Sequence, residues 1–126
     1  MSLMYRLIRK ISPSAPEAPP RFYAQSIATG EVTLRQLANE ISNISTLSTI
    51  DTIAVIESLI QMIPKHLTEG RIVRLGEFGS FMLTLSSEGV ETKEAFRKDK
   101  IRNTKLRFRP GKLIKSMIKN TDYQEE

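Results

Sequence analysis

The 126-residue sequence has no cysteine and no tryptophan, a single histidine, and only 6% aromatic residues. Without cysteine there is no disulfide, no thiolate metal site and no thiol nucleophile, which suits a reducing cytoplasm. The one histidine, His66, has no metal-ligand spacing to other residues and falls near the end of an apolar-periodic segment. There a cation is favoured by the helix dipole, so a structural role is expected. No apolar run approaches the roughly 20 residues of a membrane span, and the first residues lack the apolar stretch of a secretory signal. Met1-Ser2-Leu3 before a second methionine resembles a cloning remnant, so Met4 is read as the natural start. Neither a Gly-rich phosphate loop nor a nucleophile elbow is found. No catalytic residue, metal, cofactor, small-molecule substrate or membrane partner is therefore expected, and the chain is not read as an enzyme.

The length corresponds to one domain, and 40% apolar residues is ordinary for a globular protein. With so few aromatics, a partner's apolar surface is expected to complete the core. The net charge is +5, and its location says more than its size. Residues 97–119 hold ten cations against one acid, Asp99, a local net of +9 that leaves −4 for the rest. A charge run is most often a solvated face, but such concentration is also the footprint of a polyanion binder.

Hydrophobic periodicity divides the chain. Tyr5 to Ile11 and Arg21 to Ile27 read as strands. Between them Pro13, Pro16, Pro19 and Pro20 enforce a loop. Thr33 and Gln36 have capping-box spacing, and Leu34, Leu37, Ala38 and Ile41 follow on one helical face. A second helix is expected from Ser48 or Thr49, with Asp51 in its first turn and an apolar stripe through Ile53, Ile56, Ile63 and Leu67. Pro64 should bend or fray its last turn, and Gly70 should close it. The period then becomes two. Strands are expected over residues 72–75, 80–85 and 105–108, with a short helix over 92–100 inside a long polar stretch. A last helix follows Pro110-Gly111, and a polar tail over 121–126 is expected to be disordered. In the third strand Leu106 and Phe108 share one face, while Lys105, Arg107 and Arg109 share the other.

Two local signatures stand in this order of elements. One is Gly70-Arg71-Ile72-Val73-Arg74-Leu75-Gly76-Glu77-Phe78-Gly79-Ser80-Phe81, and the other is Phe108-Arg109-Pro110-Gly111-Lys112. Together they resemble the HU/integration-host-factor family of bacterial histone-like DNA-binding proteins, in a divergent group with an added N-terminal strand pair. The resemblance covers about Val32 to Asn120. It implies an α+β fold: two helices forming a dimer base, a three-stranded antiparallel sheet with an arm, and a short C-terminal helix. The expected division is a strand-pair extension over residues 4–31, an HU-like domain over 32–120, and the tail. By the same resemblance Phe78, Phe81 and Phe108 are core and dimer residues of a homodimer, and Gly76 and Gly79 serve a tight turn.

The resemblance further implies non-enzymatic, largely sequence-independent binding of double-stranded DNA in the cytoplasmic nucleoid. Arg107, Arg109 and Lys112 match basic positions at the arm base and the last-helix start, and Gly111 opens that helix, where free N–H groups can face a phosphate. Arg97, Lys98, Lys100, Arg102 and Lys105 complete the expected DNA-binding set along the arm. The arm departs from the family pattern. No proline lies between Leu85 and Leu106 to act as a minor-groove wedge, and Glu88, Glu91 and Glu94 would be repelled by phosphate. Phe96 or Val90 could serve as a substitute wedge, with packing on the sheet the equal alternative for each. A second reading therefore stays open: a dimeric HU-fold interaction module that has lost DNA bending and binds RNA or an acidic protein.

Overall fold

The computed structural model describes residues 2–126. Its elements run β1 (Ser2–Lys10), β2 (Arg21–Ser26), α1 (Leu34–Ile44), α2 (Thr49–Thr68), β3 (Val73–Leu75), β4 (Gly79–Ser87), β5 (Ile101–Pro110), α3 (Lys112–Lys119) and β6 (Asp122–Glu125). The strands form two separate three-stranded sheets, β2-β1-β6 and β3-β4-β5. The chain correspondingly divides into two compact units, residues 34–116 and the two chain ends together.

In the larger unit α1 packs on α2, and α2 packs on β3 and β4. The start of α2 is set by Ser48, whose Oγ accepts from the Asp51 N–H at 3.1 Å, satisfying one donor that the helix itself cannot. Thr52 is buried, and its hydroxyl donates to the Ser48 carbonyl at 2.8 Å. Pro64 lies inside α2, which continues to Thr68. The chain leaves the helix through two bonds, Gly70 N–H to the Leu67 carbonyl and Arg71 N–H to the His66 carbonyl. Gly70 has φ +85°, the left-handed residue of a Schellman ending. His66 lies in this last turn, where the Arg71 guanidinium donates to its Nδ1 at 2.9 Å. That contact agrees with a structural role.

The sheet of this unit is fully antiparallel, with Phe81 opposite both Val73 and Phe108. A tight turn joins β3 to β4, closed by the Phe78 N–H on the Leu75 carbonyl at 3.1 Å. β5 is longer than the sequence pattern marked, because its polar first half pairs across to β4 and gains its order from that ladder. The short helix expected over 92–100 is instead two 3-10 turns, Lys93–Ala95 and Lys98–Lys100.

The smaller unit corrects the expectations for the two chain ends. The tail is not disordered: β6 lies parallel to β1, with Ser2 opposite Asp122 and Leu3 opposite Tyr123. Ser2 and Leu3, set aside as a remnant, are thus part of the sheet. β1 also pairs antiparallel with β2, the expected strand pair, to which β6 adds a third strand.

Little of the apolar content is buried. Among the described residues Ala38 and Leu67 are the only buried apolar side chains. Val55, Leu59 and Met62, spaced to form one stripe along α2, stay about half exposed, and Ile50 is 77% exposed. A domain of this size ordinarily removes roughly two-thirds of its unfolded surface from water.

Candidate nucleic-acid interface

Cross-strand pairing sorts the side chains of the second sheet onto two faces, because directly opposed residues in an antiparallel pair point the same way. Leu85, Leu83 and Phe81 of β4 lie opposite Thr104, Leu106 and Phe108 of β5, forming one apolar face. Phe108 is central to an aromatic cluster, its ring centroid 4.9 Å from Phe81 and 5.5 Å from Phe78. Phe78 and Phe108 nevertheless remain 42% and 36% exposed.

The other face is cationic. Ser80 stands between Arg74 of β3 and Arg109 of β5, Met82 faces Arg107, Thr84 faces Lys105, and Ser86 faces Asn103. All four cations are exposed. None has a carboxylate partner among the described residues. Arg74 and Arg109 lie two strands apart, about 10 Å, and flank a cleft of about 200 Å³ floored by Gly76, Gly79, Ser80 and Gly111. The sequence reading missed Arg74. Its signal was present in the alternation Val73-Arg74-Leu75, but only the register places it in the row of Arg109.

The expected DNA-binding residues are not all equivalent. Lys105, Arg107 and Arg109 share the cationic face, and Lys112 is exposed at the first position of α3. Farther out, Arg97 donates to the carbonyls of Glu94 and Phe96 at 2.9 and 3.0 Å. Lys98 is exposed in the second 3-10 turn. Lys100 and Arg102 both reach Glu88, at 3.7 and 3.0 Å.

Gly111 requires a correction. Its N–H is not free to face a phosphate, because it donates to the Phe78 carbonyl at 2.9 Å, and the Leu113 N–H donates to the Glu77 carbonyl at 3.1 Å. A Cβ at Gly111 would lie 2.1 Å from the Glu77 carbonyl oxygen, and one at Gly79 would lie 2.5 Å from that of Arg109. These glycines let the β3-β4 turn, the end of β5 and the start of α3 meet backbone to backbone. The cationic face is thereby joined to the β3-β4 turn and the start of α3 by direct backbone contacts.

The family model for an HU domain fused to wHTH, Ig or glycine-rich motif matches residues 1–125. The chain belongs to this HU-HIG family. Among solved structures it is similar to a protein of Bacteroides vulgatus ATCC 8482, provisionally described as a bacterial DNA binding protein. The identity is 15% and the TM-score 0.66, over 99% of this chain and 49% of that one. It is also similar to HU of Anabaena, solved as a cocrystal with DNA, at 16% identity and TM-score 0.56, over 71% of this chain and 99% of that one. At these identities the likeness establishes the fold, which is HU-like. The HU-HIG chain spans about half the length of the Bacteroides protein. No protein with curated functional information matches it. Among the described residues no helix is long and apolar enough to cross a membrane.

Proposed function

We propose that this HU-HIG chain binds double-stranded DNA through its phosphates, largely without sequence preference, as a dimeric, non-enzymatic architectural protein of the bacterial nucleoid. The observation that carries this reading is the row of four exposed cations, Arg74, Lys105, Arg107 and Arg109, on one face of the β3-β4-β5 sheet, with no acidic partner among the described residues. Lys112 extends the set at the start of α3. Phosphate contacts position a protein on the duplex without reading bases. The protein of known structure that was crystallised with DNA shares this fold. The dimer is supported by the exposed apolar stripe of α2 and by a phenylalanine cluster that one chain leaves partly open. Phe78, Phe81 and Phe108 are accordingly assigned to the joint core.

Fluorescence anisotropy with a labelled duplex of about 30 base pairs, beside matched RNA duplex and single-stranded DNA, tests the proposal. Four phosphate contacts per chain, eight per dimer, give a slope of log K against log salt near −7, a loss of about 10⁴ in affinity between 50 and 200 mM salt. Arg74→Ala, Arg107→Ala and Arg109→Ala, each removing one contact per chain and two per dimer, should each flatten that slope by about two and weaken all duplexes alike. Preference for RNA, or no binding to duplex DNA at low salt, would instead favour the interaction-module reading.

A further inference from the structure

The cationic face does not continue unbroken to the end of the arm. Beyond Asn103 the ladder meets Glu88. One carboxylate there spans two cations, Oε1 accepting from the Arg102 guanidinium at 3.0 Å and Oε2 lying 3.7 Å from Lys100 Nζ. This contact is built into the backbone. The Glu88 N–H donates to the Lys100 carbonyl at 2.8 Å, which fixes Glu88 opposite Lys100. A register shift at Ser86/Ser87 leaves Arg102 as an extra residue in β5, between Ile101, opposite Ser87, and Asn103, opposite Ser86. Such a bulge re-aims side chains. Glu91 and Glu94, the other acids of this segment, make no ion pair within the described residues.

We propose that Glu88 is an internal competitor for phosphate: it occupies the two-cation seat of Lys100 and Arg102 and so weakens the distal arm's share of the DNA footprint relative to the base and proximal half. This rests on the DNA-binding reading above. A carboxylate bridging a guanidinium and an ammonium mimics a phosphate oxygen pair in charge and donor demand. The two pairs are exposed, hence weak and screened by salt. They lower the gain from the distal arm without closing it.

The test compares Glu88→Gln with Glu91→Gln, which removes the same charge from the same segment but releases no cation. Each freed cation that finds a phosphate steepens the salt slope by about 0.9. Glu88→Gln should therefore steepen it by up to about 2 per chain and tighten duplex binding at 50 mM salt roughly tenfold, with Glu91→Gln changing the slope by less than about 0.5. A heparin column serves as a second, DNA-independent polyanion, on which Glu88→Gln should elute at higher salt than Glu91→Gln. Equal behaviour of the two variants on DNA and on heparin would overturn the assignment. Failure of every variant to bind duplex DNA, with Glu88→Gln still retained longer on heparin, would remove the DNA reading while keeping the seat. Matching circular dichroism spectra confirm that both variants fold.

Discussion

Replacing Gly111 by alanine separates a packing role from a ligand-contacting one. A Cβ there would stand 2.1 Å from the Glu77 carbonyl oxygen and 2.6 Å from its carbon, so backbone must move by about 1 Å. Forcing extra volume into a packed site costs typically 1–3 kcal/mol. The same displacement strains the Gly111 to Phe78 and Leu113 to Glu77 bonds, each worth about 1 kcal/mol. The expected destabilisation is about 3 kcal/mol, a large share of the 5–15 kcal/mol typical of a domain. Urea unfolding followed by circular dichroism, at fixed protein concentration because association contributes to stability, should show the midpoint fall by about 1–3 M at unchanged m. A Gly111→Ala protein within about 1 kcal/mol of wild type that has lost duplex affinity would refute this reasoning and return Gly111 to the phosphate-contacting set.

Leu59→Glu places a charge in the exposed stripe of α2. Losing about 2 kcal/mol of apolar burial on each side of a symmetric interface should weaken the dimer by about 10³. Sedimentation at micromolar concentration should then report monomer where the wild type is dimer, and a wild-type monomer would count against the shared core. Deleting residues 122–126 removes the parallel partner of β1. Amide exchange over residues 2–5 should accelerate while that of α2 is unchanged, and unaltered exchange in β1 would show that β6 contributes nothing to that edge.

The sequence by itself determined much of what near neighbours govern, though the short helix it suggested over 92–100 is two 3-10 turns. Ser48 caps α2 because its side chain reaches a donor three residues on, and Gly70 ends it because the required conformation is cheap for glycine. The two-residue period of Lys105, Arg107 and Arg109 against Leu106 and Phe108 put cations on one face and apolar groups on the other before any strand partner was known. The two glycine and phenylalanine signatures pointed to the HU-like fold. What the tertiary structure alone decided depends on pairing between distant segments, which leaves no local period. Register brought Arg74 beside the row of Arg109. It set Glu88 against Lys100 and Arg102, so that part of a uniformly basic segment is already neutralised. It also turned the Gly111 N–H from a free donor into a packing bond. β6, a polar segment with no apolar alternation, is ordered only because β1 offers it an unpaired edge from the opposite end of the chain.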